Sequence, residues 1–226
     1  SDWAFSVGTS AGSGKITTRG TNGKDTYDVS GMGDVKLSID HILVQRDFNL
    51  YYGARATLSP DDRALPTQDR KGNLHSGRHS VSPYIGYETA TAFGFVGGEA
   101  SFTLNGERTT ISKSGSTVLE EEKLTGANAL GLNAFAEMKK KDYAVGILGD
   151  LSIAGEGKLK NNRRGNFTTD SAAFLKGGLY GTADLTETVG MSAKLTHGFV
   201  LDSEVDNVKI DRKDETSFQI GISAKL

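Results

Sequence analysis

The strongest signal along this chain is a period of two in hydrophobicity. From Phe48 the even positions read Phe48, Leu50, Tyr52, Ala54, Ala56 and Leu58, while the odd ones read Asn49, Tyr51, Gly53, Arg55 and Thr57. Alternate side chains of a strand point to opposite faces, so this segment predicts a strand with one apolar and one polar face. The same alternation runs from Tyr143 through Val145, Ile147, Gly149, Leu151 and Ile153, and again through Phe218, Ile220, Ile222, Ala224 and Leu226. Applied throughout, it predicts ten strands, near 2 to 13, 26 to 44, 47 to 58, 79 to 89, 92 to 104, 128 to 139, 143 to 156, 171 to 185, 188 to 201 and 214 to 226. Connections alternate in length. Those at 45 to 47, 89 to 92, 139 to 142 and 185 to 188 are tight, whereas 14 to 25, 59 to 78, 105 to 127, 157 to 170 and 202 to 213 are long, polar and rich in turn formers, and read as surface loops.

Composition decides what kind of sheet this is. Only 36% of the 226 residues are hydrophobic and mean hydropathy is −0.36, and no stretch approaches the roughly 20 apolar residues of a membrane helix. Strands that alternate between lipid and lumen escape that test, because half of each strand can be polar. The 29 glycines and 3 prolines suit an antiparallel sheet with crowded interior positions and tight turns. There are no cysteines, hence no disulfides or thiolate sites, and the net charge of −2 argues against a nucleic-acid binder. The opening Ser1-Asp2-Trp3 already alternates, so the chain reads as a mature form without its export segment. Trp3, Phe5, Phe48, Tyr87, Phe93 and Tyr143 fall on the apolar parity near the tight turns, where an aromatic girdle is expected.

These features predict an all-β fold: a single domain over 1–226, a transmembrane antiparallel up-and-down β-barrel of about ten strands, with eight or twelve as alternatives. Segment Tyr143 to Glu156 with its turn Lys139-Lys140-Lys141-Asp142, and the terminal Ser217 to Leu226, resemble the small bacterial outer-membrane barrels of the porin-like superfamily, which includes monomeric eight- and ten-stranded proteins and autotransporter translocator domains. The resemblance covers nearly the whole chain. It departs at the end, where Leu226 stands in place of the usual terminal aromatic residue. It implies the outer membrane of a Gram-negative bacterium, with periplasmic termini and with outer-membrane lipid and lipopolysaccharide as partners.

The inward parity carries Asp28, Asp34, Asp40, Glu99, Glu137, Asp150, Glu156 and Asp184 against Lys36, Arg55, Lys176, Lys194 and Lys225. Charges inside a barrel must be paired or hydrated, so this set is either a bracing network or the wall of a narrow channel for small polar solutes or ions, with slight cation preference. Arg55, Glu99, Asp150, Lys176 and Lys194 are the candidates for the constriction or the bracing. Inward Tyr51, Tyr84, Phe135, Phe174 and Tyr180 narrow the lumen, offset by Gly53, Gly86, Gly131, Gly178 and Gly190. The alternative is a surface interaction protein, an adhesin or lipopolysaccharide binder with a closed lumen that displays its loops to a host or cell-surface ligand. Lys158, Lys160, Arg163 and Arg164 are the candidates for that surface.

Enzyme chemistry is not expected. His75 and His79 lie four apart near Asp61, Asp62 and Asp69, which resembles the rim acid and histidine pairs of ten-stranded outer-membrane proteases, but nothing else matches such an enzyme. His41 and His197 are expected at interfaces or rims without chemical roles. Ala11 to Ile16 lacks the glycine and hydroxyl residue of a phosphate loop, and Asn166-Phe167-Thr168 is a chance sequon. Glu120-Glu121-Glu122 reads as a solvated face. No metal and no cofactor are expected.

Overall fold

The computed structural model describes residues 2–20, 23–65, 71–186, 188–202, 204–205, 208–209 and 214–224. Among these residues it contains strands and turns and no helix, so no helix is long and apolar enough to cross a membrane. Ten strands follow one another as a meander: β1 (Asp2–Gly8), β2 (Val35–Val44), β3 (Phe48–Leu58), β4 (Arg78–Ala90), β5 (Gly94–Ser114), β6 (Ala129–Lys139), β7 (Tyr143–Ala154), β8 (Ala172–Asp184), β9 (Val189–Asp202) and β10 (Glu215–Ala224). Each is antiparallel to the next, from the β1 with β2 ladder to the β9 with β10 ladder. Among the described residues no ladder joins β1 to β10, so the meander has these two strands as its outer edges, and the sheet branches at β5.

Four tight turns close one end of the sheet through the backbone bonds Gln45 N–H to Phe48 O (2.9 Å), Thr91 N–H to Gly94 O (2.6 Å), Lys140 N–H to Tyr143 O (2.8 Å) and Leu185 N–H to Val189 O (2.8 Å). Asp2 pairs with Ile42 and Ala224 with Val189, so both outer strands also begin or end there. The opposite end differs from the expectation. The long connections are largely built of sheet. Ala11–Gly20 and Gly23–Met32 form a hairpin that leaves the β1 and β2 ladder at residues 9–10 and 33–34, so the segments expected as single strands over 2 to 13 and 26 to 44 are each broken. β5 runs on past the expected end to Ser114 and returns as Thr117–Gly126, which pairs with Gly157–Asn161, itself paired with Gly165–Thr169. The side chains of these extensions do not alternate between an apolar and a polar face, as in Thr117–Gly126 with its Glu120-Glu121-Glu122 run, so the period-two signal is lost there. Asp28 accordingly lies on the hairpin, Asp34 accepts the Ser76 backbone N–H (3.0 and 3.2 Å), and Glu156 falls in the connection after β7, so none of the three belongs to the polar face of the meander. Lys225 and Asp69 lie outside the described residues.

The two faces of the meander are chemically distinct. Among the described residues only Val29, Tyr84 and Ala144 are buried apolar or aromatic side chains, so there is no conventional apolar core. The aliphatic parity is exposed instead, as at Ile147 (57%) and Ile222 (78%). The expected girdle residues Trp3, Phe5, Phe48, Tyr87, Phe93 and Tyr143 are all exposed as well. Trp3 and Tyr52 flank His41, with ring centroids 4.4 and 5.0 Å from it, and Phe48 lies 5.5 Å from Tyr87.

Candidate functional site

The polar face is organised by glycines that sit between longer side chains. In register, Asp40 of β2 faces Gly53 of β3, which faces Tyr84 of β4, and the Tyr84 hydroxyl crosses Gly53 to hydrogen-bond the Asp40 carboxylate. Glu137 of β6, Gly146 of β7 and Tyr180 of β8 repeat the arrangement, and Tyr180 donates to Glu137 at 3.0 Å. Strands lie about 4.8 Å apart, so partners two strands away meet only over a residue without a side chain. Tyr51 lies on Gly86, Phe135 on Gly97 and Phe174 on Gly198 in the same manner. Gly53 and Gly86 were expected beside the inward aromatics, whereas Gly131, Gly178 and Gly190 instead face Ser101, Thr196 and Ser223.

On this scaffold a charged chain crosses four strands. Arg55 of β3 donates through both terminal nitrogens to the Glu99 carboxylate of β5 at 2.6 Å each, and its guanidinium carbon sits 4.0 Å from the Tyr84 ring centroid. Tyr84 leads on to Asp40, which also accepts from Ser38 at 2.7 Å. A paired fork with a cation–π face fixes the guanidinium plane far better than a single contact. Beyond Glu99 the register continues to Asn133, Asp150 and Lys176, with Asn133 Nδ2 donating to Asp150 at 2.5 Å. Arg55, Glu99, Asn133 and Asp150 line a hollow of 250 Å³ with Ser101 and Ser152. Asn133 also borders a second hollow of 530 Å³, lined by Phe135, Tyr180, Thr182, Lys194 and Gln219 among others.

Of the five residues expected at a constriction, the structure thus gathers Arg55, Glu99 and Asp150 at one hollow and places Lys194 at the next. Lys176 stands opposite Asp150 in register, but among the described residues neither Lys176 nor Lys194 makes an ion pair. Asn133, Ser38 and Ser152 were not anticipated, because they are uncharged and a charge inventory passes over them. Asn49 is another, donating to Glu88 at 2.7 Å.

The surface candidates are displayed together. Lys158 and Lys160 lie on Gly157–Asn161, and the Asn161 Oδ1 atom accepts the backbone N–H groups of Arg163 and Arg164 at 2.9 Å each. Arg164 pairs with Glu120 at 3.5 Å, and Glu120 also accepts from Asn161 at 2.7 Å. The glutamate run is therefore part of a paired strand rather than a loose loop.

His75, His79 and His197 have hydrogen-bond partners, whereas the buried His41 Nδ1 has none among the described residues. Ser59 Oγ donates to the Asp61 carbonyl (2.9 Å) and accepts the Gly77 N–H (3.0 Å), so the His75 Nδ1–H at 3.2 Å must be the donor to it. The other His75 nitrogen accepts from Asn73 Nδ2 at 2.8 Å, and His79 Nδ1 accepts the Ser59 backbone N–H at 3.2 Å. In this tautomer His75 offers Ser59 no basic nitrogen. The cluster knots the connection between β3 and β4 together. His197 bonds Thr216 at 2.7 Å beside Phe199. Among the described residues no cluster of histidine, aspartate or glutamate has the makings of a metal site.

No protein-family model matches this chain. No curated protein matches it in sequence either.

Proposed function

We propose that the ten-stranded meander closes into a transmembrane β-barrel of a bacterial outer membrane, and that its polar face lines a narrow channel for small polar solutes or ions. The observation that carries this reading is the inversion of polarity. Most large aliphatic side chains of the meander share one face and are exposed there, while the ion-paired and hydrogen-bonded residues gather on the opposite face. Soluble monomers rarely leave more than a few hundred Å² of contiguous apolar surface in water, and lipid removes that penalty. In hydrocarbon a sheet has to satisfy its edge donors and acceptors, so β1 and β10 pair with one another. Resemblance to the porin-like superfamily points the same way.

The lumen of such a barrel contains Asp40, Glu88, Glu99, Glu137, Asp150 and Asp184 against Lys36, Arg55, Lys176 and Lys194, which gives a slight preference for cations along that stretch. Tyr84 and the Arg55–Glu99 fork narrow it on one side. Planar-bilayer recording of the refolded protein tests the reading. Reproducible unitary steps of small conductance with mild cation selectivity are expected, and a folded, membrane-inserted preparation that stays silent under applied voltage rejects the channel.

A second reading is favoured by one specific observation, the hairpin tip at Arg163 and Arg164 held in shape by Asn161. In that reading the barrel lumen is closed and the tip, with Lys158 and Lys160, binds the phosphates of lipopolysaccharide or an acidic cell-surface ligand. Replacing the four cations with glutamine then abolishes binding to lipopolysaccharide-containing vesicles. Unchanged binding rejects it.

A further inference from the structure

A bulge in β5 changes which residues share the polar face. Ser80 of β4 pairs with Asn105, but Arg78, two residues earlier, pairs with Arg108, so β5 takes three steps where β4 takes two. A bulge of one residue inverts the parity beyond it. Below the bulge Glu99, Ser101, Thr103 and Asn105 lie on the polar face, as the Thr103 Oγ1 to Ser82 Oγ bond of 3.1 Å shows. Above it Arg108 and Thr110 take that face and Glu107 leaves it. Arg63 pairs with Thr110 in a short parallel ladder and therefore shares the same side. Gly77, with φ of +68°, makes this approach possible: a Cβ there would stand 2.7 Å from the Arg63 nitrogen and 2.8 Å from its Cβ.

Three arginines thus overhang the hairpin end of the polar face, above the neutral lining of Ser80, Ser82, Thr103 and Asn105. Like charges placed opposite each other on a sheet repel. Arg78 is committed to structure, donating Nε to the Gly106 carbonyl (2.9 Å) and Nη2 to the Gly126 carbonyl (2.5 Å). Arg108 is not. Its one carboxylate among the described residues is Glu122 at 3.9 Å, and its Nε donor has no acceptor. Arg63 makes no ion pair among the described residues.

We propose that Arg63 and Arg108, with Arg78 behind them, form a binding site for the oxyanion group, phosphate or carboxylate, of a small soluble solute at the mouth of the polar hollow. An oxyanion there supplies the acceptors that the protein withholds from Arg108 and relieves the repulsion within the cluster. The position at a mouth rests on the barrel reading above. The binding itself needs no conduction. The site lies deeper than the Arg163 and Arg164 tip and on the lumen side, so it suits a solute rather than a lipid-borne phosphate.

Calorimetric titration of inorganic phosphate into the folded protein in detergent tests this. Arg108→Gln and Arg63→Gln are each expected to weaken phosphate binding about ten-fold, as loss of a charge-assisted donor pair does. Arg108→Lys keeps the charge but not the fork and falls between. Glu122→Gln, which removes the competing carboxylate and no contact to the anion, leaves binding equal or tighter. The double variant Arg163→Gln/Arg164→Gln binds as the parent does. Absence of phosphate binding in the parent, equal affinity in Arg63→Gln and Arg108→Gln, or loss confined to the Arg163/Arg164 variant overturns the site. Silence in bilayers with phosphate binding intact rejects the channel and leaves the site standing.

Discussion

At the scale of single residues, the polar face depends on pairs in which a large side chain occupies the space a glycine leaves. Gly146 shows the constraint clearly, since an added Cβ would run into the Tyr180 ring that reaches over it to Glu137. Gly146→Ala is therefore expected to lose about 1–3 kcal/mol of stability, the ordinary cost of overpacking, and adding Tyr180→Ser should recover most of it. Denaturant titration of the refolded variants measures both, and additive losses would mean the ring does not depend on the glycine. The Arg55–Glu99 fork is a milder case. Its arginine side chain is 50% exposed and its glutamate 15%, so water screens much of the attraction. A double-mutant cycle on Arg55→Gln and Glu99→Gln should give a coupling of about 1 kcal/mol. Ala127 carries strain of another kind, with φ of +53° where an L side chain is disfavoured. Ala127→Gly should raise stability by roughly 1 kcal/mol, read in the same titration.

At the scale of the elements, what was legible in the sequence follows the solvent on each face. β3, β4 and β7 fall within a residue or two of their expected bounds because one face is apolar and the other polar, and slipping by one residue would exchange them. Thr117–Gly126 has no such contrast. Its Glu120-Glu121-Glu122 run looks like a loop because both faces are polar, yet Glu122 pairs with Asn161 and Thr110 in a regular ladder. The candidate site was legible in part for a similar reason. Counting parity locates Arg55, Glu99 and Asp150, but it cannot anticipate the bulge near Gly106 that brings Arg108 onto their face. The same elements separate a lipid-facing sheet from a water-facing one. Ile147 lies on the apolar parity of β7 and is 57% exposed. Ile147→Arg should cost about 2–4 kcal/mol when the protein is folded into vesicles if that face meets hydrocarbon. A cost near zero would place the apolar parity in water and remove the membrane reading.

At the scale of the whole molecule, closure turns on the relation between β1 and β10. Both are paired on one side only among the described residues, and both present aromatic and aliphatic side chains on the exposed parity: Trp3, Phe5 and Val7 on one, Phe218, Ile220 and Ile222 on the other. An unpaired edge of such strands invites association with another chain, and within lipid its unsatisfied backbone groups would each cost several kcal/mol. Closure satisfies both edges at once. It also constrains which residues can meet, because strands that pair keep their side chains on matching faces whatever the register. The chain has no cysteine of its own, so engineered pairs report cleanly. Phe5→Cys combined in turn with Phe218→Cys, Ile220→Cys and Ile222→Cys should yield one combination that oxidises efficiently within a single chain. Phe5→Cys with Gln219→Cys or Gly221→Cys, which lie on the opposite parity, should not. Cross-linking only between chains, or none at all in a folded membrane preparation, would show that the meander remains an open sheet.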